Sequence, residues 1–300
     1  MARSVALTGG TGFIGSSVLS QLLAAGHSVR VLARNSAKIT VESDHLHIIS
    51  GDLHNQSALA ELIDGADTIV HCAGRVRGRN LTQFNTDNII ATQALLNSCN
   101  SHSHFVYISS LAAREPALSH YASSKLQAEQ VVKDHINSNW TIIRPPAVYG
   151  AGDVELRPLF DWMRRGILWI PGRPSNRFSI LHVNDLASLI TYIVESSGPA
   201  RQIYEPYDGK KGGYQWQELR AIAADVFNRK IRPYTIPGSI LNTAARLNMV
   251  FSTITNRPPM LTPGKVRELV HSDWVSDPAK SITGWQPQID FKVGLQNLYS

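Results

Sequence analysis

Tyr121 and Lys125 are the side chains whose spacing first indicates chemistry, in a segment that reads Tyr-Ala-Ser-Ser-Lys. Positions i and i+4 share one face of a helix, so the phenol and the ammonium group would point the same way. Acid–base work near neutral pH requires the tyrosine pKa, about 10 when free, to fall by roughly 2–3 units. A neighbouring cation lowers it by favouring the phenolate. The pair predicts a proton-transfer site, with Ser110 at the end of the preceding strand holding a substrate oxygen; an exposed pair on a helix is the alternative.

A glycine-rich turn near the start of the chain could hold a phosphate group. Glycines stand at positions 9, 12 and 15, between a short apolar run and a helical apolar pattern. Glycine lets the backbone turn sharply and approach a pyrophosphate, whose charge the free N–H groups at the helix start would meet. The turn predicts a dinucleotide site, and a purely structural turn is the alternative. The residues expected to contact the dinucleotide here are Gly9, Thr11, Gly12, Phe13 and Ile14.

Arg34 follows the second predicted strand, where an NAD site usually carries an acidic residue for the ribose 2′-hydroxyl group. The segment Ala33-Arg34-Asn35-Ser36 contains no acid. A guanidinium group can bind a 2′-phosphate through two parallel hydrogen bonds. Arg34 lies 34 − 15 = 19 residues after Gly15, near the spacing of about 20 expected for this contact. Arg34 therefore favours NADP over NAD; a solvated arginine at a strand end is the alternative.

Strands and helices alternate through the first half of the chain, as they must to position these residues. The predicted strands are Val5–Leu7, Ser28–Ala33, His47–Ser50, Thr68–His71, His104–Ile108 and Trp140–Ile143. The predicted helices between them are Gly15–Ala25, Ser57–Ile63, Asn85–Cys99 and Tyr121–His135. This alternation predicts an α/β fold, a Rossmann-like, doubly wound parallel sheet.

The regular alternation ends near residue 150, where prolines, glycines and tryptophans become frequent. We therefore expect a dinucleotide-binding domain of residues 1–147, joined by a returning segment at about 180–200. Residues 148–179 and 201–300 are expected to form a smaller, irregular substrate lobe.

Two helices are predicted in this second half. A helix over Asp185–Glu195 should return to the sheet, with Asn184 or Asp185 as its N-cap. Residues 239–252 have the pattern of an amphipathic helix. Packing against the lobe is the preferred interpretation for it, and membrane contact is a distant second.

Composition narrows the class of protein. The 300 residues, 43% of them hydrophobic, suffice for one large α/β domain or two smaller ones. Two cysteines, no signal peptide and no apolar run of membrane-spanning length lead us to expect a cytoplasmic protein without a membrane partner. The net charge is +6 and the pI about 9.4, but the basic residues are scattered, so nucleic-acid binding is not expected. His45 and His47, like His102 and His104, are interpreted as solvated loop residues, and no metal site is expected.

Several segments together resemble the motifs of the extended short-chain dehydrogenases/reductases, the group called the NAD-dependent epimerase/dehydratase family. Thr8–Gly15 is similar to the family's glycine motif, Tyr107–Ser110 to the strand that delivers a catalytic serine, and Tyr121 with Lys125 to the catalytic tyrosine and lysine. The other matching segments are Gly51–Leu53, His71–Gly74, Asn88–Thr92, Arg144–Gly150 and Phe178–Asp185. The resemblance covers nearly the whole chain.

The resemblance implies hydride transfer between the nicotinamide C4 atom and a carbinol or carbonyl carbon. Tyr121 would move the proton, Ser110 would orient the oxygen, and Lys125 would bind the ribose and lower the tyrosine pKa. The further cofactor contacts that it implies are Asp52 and Leu53 at the adenine, Cys72, Ala73 and Gly74 after the fourth strand, and Pro145 to Val148 at the nicotinamide. A homodimer is implied by analogy alone.

Departures from the family pattern bear on the substrate. Sugar-nucleotide epimerases of the family usually carry asparagine where this chain has Ala147, and the Arg-Pro-Pro-x-Val-Tyr-Gly form is closer to the hydroxysteroid-dehydrogenase-like and dihydroflavonol-reductase-like branches. No acid follows Ser110, which disfavours dehydration, and only 121 − 110 = 11 residues separate it from Tyr121, which could leave the site open on one side. We expect an NAD(P)-dependent oxidoreductase, NADP being preferred, that acts on a secondary alcohol or ketone of a small-molecule substrate. A sugar-nucleotide epimerase and an NADP-binding redox sensor without turnover are the alternatives.

Overall fold

The computed structural model of the chain describes residues 2–99, 103–135, 139–196, 200–255 and 258–300. The strands in these residues are β1 (Ser4–Thr8), β2 (Ser28–Ala33), β3 (Leu46–Ser50), β4 (Thr68–His71), β5 (His104–Ile108), β6 (Asn139–Ile143), β7 (Ala147–Tyr149), β8 (Ile167–Pro171), β9 (Arg177–Phe178), β10 (Ile180–His182), β11 (Gln202–Tyr204), β12 (Tyr214–Gln215), β13 (Arg232–Ile236) and β14 (Asp273–Trp274). The α-helices are α1 (Phe13–Ala24), α2 (Gln56–Ile63), α3 (Leu81–Phe84), α4 (Ala91–Ser98), α5 (His120–Asp134), α6 (Arg157–Arg164), α7 (Val183–Ser196), α8 (Trp216–Val226), α9 (Gly238–Thr255), α10 (Pro263–Val270) and α11 (Phe291–Tyr299).

A parallel sheet organises the first two thirds of the molecule. Seven strands of the described residues form it, in the order β11-β6-β5-β4-β1-β2-β3. Strand order reverses between β1 and β4, and ligands of such sheets bind outside the carboxyl ends of the strands at this reversal. The α/β, Rossmann-like fold and its six predicted strands are confirmed.

Helices cover both faces of the sheet, as the apolar spacing of their sequences predicts. On one face α1 and α7 bury aliphatic side chains such as Val18, Leu22 and Ile190 against the sheet. On the other face α2, α4 and α5 bury residues such as Leu59 and Leu95. The strands are consequently apolar on both sides, the pattern expected of a parallel sheet.

The seventh strand of the sheet is one that the sequence analysis missed. Residues Gln202–Tyr204 pair with β6, in register from Thr141 to Ile143. Residues 201–300 are predicted to lie in the substrate lobe, but this short strand belongs to the seven-stranded parallel sheet. Three residues are too few for apolar periodicity to mark a strand.

The helix after β4 is less regular than predicted. It begins at Leu81, four residues before the predicted start, and passes through a π-helical segment over Asn85–Ile90 before it ends at Ser98. The Asn80 side chain caps it by accepting a hydrogen bond from the Gln83 N–H. Apolar periodicity does not detect a wide turn, because the buried positions on either side keep nearly the same spacing.

Asp185 is not the N-cap that the sequence predicts. The helix α7 already begins at Val183, and the Asp185 carboxylate accepts hydrogen bonds from the backbone N–H groups of Gln288 and Ile289, at 3.1 and 2.9 Å. The residue is buried, and it ties the C-terminal segment to the sheet domain. A long-range contact has replaced the local role that aspartate usually has at a helix start.

The C-terminal lobe has its own small core. The rings of Tyr149, Phe160 and Phe291 meet in its centre, with centroids 5.7–5.8 Å apart. Around this core the short strands pair as β7 with β10, β8 with β13, and β9 with both β12 and β14.

The predicted amphipathic helix is present as α9, but packing against the lobe is the wrong interpretation for most of its apolar residues. Ala245 and Ser252 are its buried side chains. Five of its larger apolar residues are exposed, and Leu241 and Met249 are half-buried. In the part of the chain that the structure describes, no helix is long and apolar enough to cross a membrane.

Candidate active site

The glycine turn between β1 and α1 is shaped by close backbone packing. Gly9 has φ of 76°, and a Cβ atom there would lie 2.6 Å from the backbone nitrogen of Ala73. A Cβ atom on Gly15 would overlap the carbonyl oxygen of Gly9. Gly12 is different: it donates its N–H to the Gly9 carbonyl at 2.9 Å, and an added Cβ atom would meet only that oxygen, at 3.3 Å. The glycines at 9 and 15 therefore close the turn, whereas Gly12 faces open space.

The start of α1 provides a place for a phosphate group. Gly12 is the N-cap and makes no side-chain cap, the first turn carries no acidic residue, and Thr11 and Gly12 are exposed. The first N–H groups of a helix have no acceptor within the helix, and they carry a partial positive charge. The turn thus fits a pyrophosphate, with Phe13 and Ile14 half-buried beneath it.

Arg34 and Asp52 lie after β2 and β3, whose carboxyl ends are neighbours in the sheet. Arg34 is exposed, and the structure gives it no hydrogen bond or ion pair within the described residues. Asp52 is also exposed, and its carboxylate accepts the His54 N–H at 2.9 Å. Leu53 packs against the core under α2. These residues border a place where the adenosine part of a dinucleotide could be held.

A chain of buried hydrogen bonds links the glycine turn to the helix that carries Tyr121. The Thr8 hydroxyl lies 2.6 Å from Nδ1 of His71, whose Nε2 lies 3.0 Å from the Thr92 hydroxyl. Thr92 donates to the Asn88 carbonyl at 2.7 Å, and the Asn88 amide donates to Ser124 at 2.9 Å. These hydrogen bonds therefore hold four elements together: the end of β1, the end of β4, the π-helical segment and α5.

His71 is the neutral member of this chain. Burial, with a smaller effect of the Lys125 charge, lowers the pKa of His71 to about 3. The Thr92 hydroxyl donates its only proton to the Asn88 carbonyl, so it must accept a hydrogen bond from Nε2–H of His71. Nδ1 of His71 is then unprotonated and accepts a hydrogen bond from Thr8. Burial raises the pKa of the adjacent Cys72 thiol to about 12, which favours the protonated thiol.

Ser110 and Tyr121 meet at the carboxyl end of β5. The Ser110 hydroxyl lies close enough to the phenol of Tyr121 to affect its pKa, and Tyr121 is half-buried. Burial raises the pKa of Tyr121 to about 12; the Ser110 hydroxyl opposes the rise, and the charges of Glu268 and Glu155 add to it. In the protein alone, desolvation therefore raises the pKa of the phenol; the predicted lowering involves Lys125 together with a bound, positively charged nicotinamide and stays a prediction.

Lys125 does not contact the Tyr121 hydroxyl. Its ammonium group donates to the Ile108 carbonyl at 2.6 Å and lies 4.5 Å from the centre of the Tyr107 ring. Burial lowers the pKa of Lys125 to about 8, with Glu129 acting in the opposite direction. Gly74 lies beside this ammonium group, so the lysine faces the segment after β4 for which the resemblance implies a cofactor contact.

Pro145 and Val148 border the same end of the sheet. The Pro145 carbonyl accepts the Leu111 N–H at 2.9 Å, which holds the segment after β6 against the one that carries Ser110. Val148 lies in β7 and packs half-buried against the core. The sequence-predicted residues from β1, β4, β5 and β6 thus converge on one edge of the sheet.

Four further residues at this site were missed by the sequence analysis. The Phe84 ring lies 6.3 Å from that of Tyr121, and Arg77 pairs with Glu155 at 2.7 Å between the loops that follow β4 and β7. Glu268 on α10 accepts a hydrogen bond from Ser119, the N-cap of α5. Nothing in the local sequence marks these contacts, because Glu268 lies 149 residues from Ser119. In the described residues, no cluster of histidine, cysteine or acidic side chains is placed to hold a metal ion.

The fold and the site define an oxidoreductase that binds a dinucleotide. A family model described as the NAD-dependent epimerase/dehydratase family matches residues 5–205. The chain is 34% identical to a ceramide reductase of Caulobacter vibrioides, over 93% of this chain and 88% of that protein. It therefore belongs to the NAD-dependent epimerase/dehydratase family.

More distant proteins share the whole fold. A decarboxylating sterol-4-alpha-carboxylate 3-dehydrogenase of Dictyostelium discoideum is 27% identical over 99% of this chain and its own full length. Among solved structures, a UDP-glucuronic acid 4-epimerase of Bacillus cereus in complex with NAD superposes with a TM-score of 0.76, at 17% identity, covering 99% of this chain and 97% of that one. At that identity the likeness concerns the fold alone.

Proposed function

We propose that this chain is an NADPH-dependent reductase of a ketone carried by an apolar, long-chain substrate. The proposal depends on one observation, the closeness of the Ser110 hydroxyl to the Tyr121 phenol at the carboxyl end of β5, which opposes the rise of the phenol's pKa. A hydroxyl pair of this kind can hold a carbonyl oxygen and give it a proton. The other parts of the site supply a place for the dinucleotide and a cation beside it.

The residues divide the work of reduction between them. A bound NADPH supplies the hydride to the carbonyl carbon. Ser110 holds the carbonyl oxygen near the phenol, and Tyr121 gives that oxygen its proton as the alcohol forms. With a pKa of about 12, Tyr121 is protonated throughout the neutral range, as a proton donor must be. Lys125, whose pKa is about 8, carries a charge at pH 7 with which it would bind the ribose.

An apolar substrate is supported by the surface near Tyr121. Val76 and Val154 adjoin the paired residues Arg77 and Glu155 and are 61% and 66% exposed, so apolar side chains stand on both sides of that ion pair. The Phe84 ring packs against Tyr121 itself. The relatives described above are a ceramide reductase and a sterol dehydrogenase, whose names denote substrates that are largely hydrocarbon.

NADPH rather than NADH is supported by Arg34, the exposed guanidinium group after β2. No acidic residue stands beside it in the sequence to bind a ribose 2′-hydroxyl group or repel a phosphate. Epimerisation of a sugar nucleotide is disfavoured by Ala147, which cannot hold a diphosphate as an asparagine would. The fold that the chain shares with a UDP-glucuronic acid 4-epimerase does not favour epimerisation, because a likeness at 17% identity concerns the fold alone.

Replacement of the phenol tests the proposal. The full chain, its NADPH and the 3-keto form of a ceramide dispersed in detergent are mixed, and loss of the reduced nicotinamide absorbance is followed. We expect Tyr121→Phe to lower kcat by roughly 100- to 10,000-fold, the usual worth of a general acid, and to leave the Kd for NADPH unchanged. Tyr192→Phe is the matched control, because Tyr192 donates to the Thr283 carbonyl away from the site, and it should reduce the ketone normally.

Other results would identify the alternatives. Turnover of UDP-glucose without net oxidation of NADPH would replace the proposal with epimerisation. Binding of NADPH with no ketone reduced, in the natural chain and in Tyr121→Phe alike, would indicate a redox sensor. Reduction of a short β-keto amide as fast as the long-chain ketone would reject the apolar substrate but keep the reductase.

A further inference from the structure

The exposed side of α9 is a continuous apolar surface. Its five large apolar residues are each more than half exposed, up to 67% for Leu247 and 76% for Ile254. At about 100° per residue, they lie within an arc of roughly 100° around the helix axis. The five residues, called the α9 face below, are Ile240, Leu247, Val250, Phe251 and Ile254.

The inner side of α9 packs against the rest of the chain. Ala245 and Ser252, on the side opposite the α9 face, are buried, and the helix packs along α10. The α9 face therefore remains uncovered after the helix has met the rest of the chain. Soluble monomers rarely leave an apolar surface of this size exposed unless it meets another surface.

The positive charge of the protein is concentrated around this helix. Residues 226–267 contain seven lysines and arginines and no aspartate or glutamate. The rest of the chain has 29 − 7 = 22 basic and 23 acidic residues, so this segment carries the entire excess. The impression of scattered basic residues is corrected by this count. An apolar face within a basic region is complementary to a bilayer that contains anionic lipids.

Exposed aromatic rings precede the helix. The rings of Trp162 and Trp169 meet at 6.2 Å, and that of Tyr234 lies 5.4 Å from Trp169. All three are more than a third exposed, and Tyr234 belongs to β13, which leads into α9 through Pro237. Tryptophan and tyrosine are enriched where proteins meet the headgroup region of membranes, because each ring has an apolar body and a polar edge.

We propose that the α9 face docks this protein on the surface of a membrane that contains anionic lipids. The helix would lie in the headgroup region without crossing the bilayer. A second copy of the chain fits this surface poorly, because two such basic regions would repel each other. The docking site lies next to the proposed active site: α10, the neighbour of α9, donates from Arg267 to the Leu118 carbonyl at 2.8 Å, three residues before Tyr121. The surface is argued from α9 and the charge distribution, whichever ketone is reduced.

Sedimentation with lipid vesicles tests the surface with the full chain. The protein should bind vesicles of phosphatidylglycerol and phosphatidylcholine in equal parts, and bind pure phosphatidylcholine far more weakly. The double variant Phe251→Ser/Ile254→Ser should lose at least about tenfold in vesicle partitioning. Its matched control, Ile48→Ser/Val293→Ser, changes two exposed aliphatic residues elsewhere and should bind like the natural chain.

Charge is tested by a second pair of variants. Arg229→Gln/Lys230→Gln should weaken binding by roughly fivefold for each charge removed, whereas Lys38→Gln/Lys211→Gln should bind normally. All variants should reduce detergent-dispersed ketone at the natural rate, which shows that they fold. Absence of vesicle binding in the natural chain, or equal binding by the α9 variant and its control, would overturn the proposal. So would a dimer that the α9 variant dissociates in light scattering, since a second copy would then cover the face.

The two proposals fail separately. Reduction in detergent without vesicle binding rejects the docking surface and leaves the reductase proposal standing. Vesicle binding without reduction of any ketone leaves the docking surface standing and rejects the reductase proposal.

Discussion

Ser119, the residue that caps the helix bearing Tyr121, donates its hydroxyl hydrogen bond to Glu268 on α10. The same hydroxyl accepts the Ala122 N–H at 2.9 Å. A carboxylate from the C-terminal lobe is thereby fixed near the phenol, and its charge raises the pKa of Tyr121. The lobe thus helps set the acidity of the proposed proton donor.

Glu268→Gln should move the pH dependence of ketone reduction. A negative charge disfavours the phenolate, so its removal lowers the pKa of Tyr121 from its value of about 12. Because reduction needs the protonated phenol, the limb of kcat/KM that the phenol sets, above the limb that Lys125 sets near pH 8, should shift to lower pH. A glutamine oxygen can still accept from Ser119, so the helix cap should survive.

Glu42→Gln is the control for this measurement, since Glu42 is exposed and contributes nothing to the Tyr121 pKa. Its pH profile should coincide with that of the natural chain. A shift of the Glu268→Gln limb to higher pH, or no shift at all, would show that the carboxylate does not act on the phenol by its charge.

Lys125→Met should stabilise the fold while it slows reduction. The pKa of Lys125 falls from 10.5 to about 8 on burial, which corresponds to roughly 3 kcal/mol of cost to the folded state at pH 7. The variant also loses the hydrogen bond to the Ile108 carbonyl, which offsets about 1–2 kcal/mol of this gain in stability. Denaturant titration should therefore give an unfolding free energy about 1–2 kcal/mol higher for the variant.

The stability difference should also depend on pH in a definite direction. Between pH 8 and 10.5 the unfolded chain keeps the Lys125 proton that the folded chain has lost, so the natural protein gains stability as pH rises through this window. The advantage of Lys125→Met should shrink accordingly. Lys38→Met, at an exposed position, should show no such dependence, and a gap that widens with pH would contradict the buried-cation account.

The sequence predicted the sheet well because its strands are buried apolar runs separated by helical patterns. The glycine turn and the Tyr121–Lys125 pair were also found, since each depends on spacing within one element. Chemistry set by burial could not be predicted from spacing. The i, i+4 spacing that puts Lys125 and Tyr121 on one helix face says nothing of the Ile108 carbonyl that accepts the hydrogen bond of the Lys125 ammonium group. The high pKa of the phenol follows from desolvation, and residue spacing in the sequence does not show how deeply a side chain is buried.

Contacts between segments that are distant in the sequence also could not be predicted. Asp185 has the sequence preference of a helix cap, but the backbone N–H groups of Gln288 and Ile289 bind it instead. Glu268 reaches the active-site helix from 149 residues away. The amphipathic pattern of α9 was recognised, yet its direction was misjudged, because periodicity shows that a helix has an apolar side and not what that side meets.

Arg34→Ala should separate the two coenzymes. Loss of a bidentate, charge-assisted pair with a 2′-phosphate should raise the Kd for NADPH by roughly 10- to 100-fold, and the Kd for NADH should stay the same. Quenching of intrinsic fluorescence measures both. Lys38→Ala, which removes another exposed cation close by, should alter neither. An equal loss for the two coenzymes would mean that Arg34 does not discriminate by the phosphate.

Gly15→Ala and Gly12→Ala should differ, although both lie in the glycine turn. A methyl group at Gly15 overlaps the Gly9 carbonyl oxygen, so the turn must shift, at a cost of about 1–3 kcal/mol in unfolding free energy. At Gly12, whose φ is −90°, the methyl group meets a single oxygen at 3.3 Å, and the fold should be nearly unchanged.

The two variants should therefore separate stability from binding. Gly15→Ala should lower the denaturation midpoint, while Gly12→Ala should melt like the natural chain and yet bind NADPH at least about tenfold more weakly, because its methyl group stands where a pyrophosphate would approach the helix start. Denaturant titration and calorimetry with NADPH measure the two quantities. If Gly12→Ala bound the coenzyme normally, the dinucleotide would have to lie elsewhere than against the start of α1, and the role of Tyr121 beside it would fail with that placement.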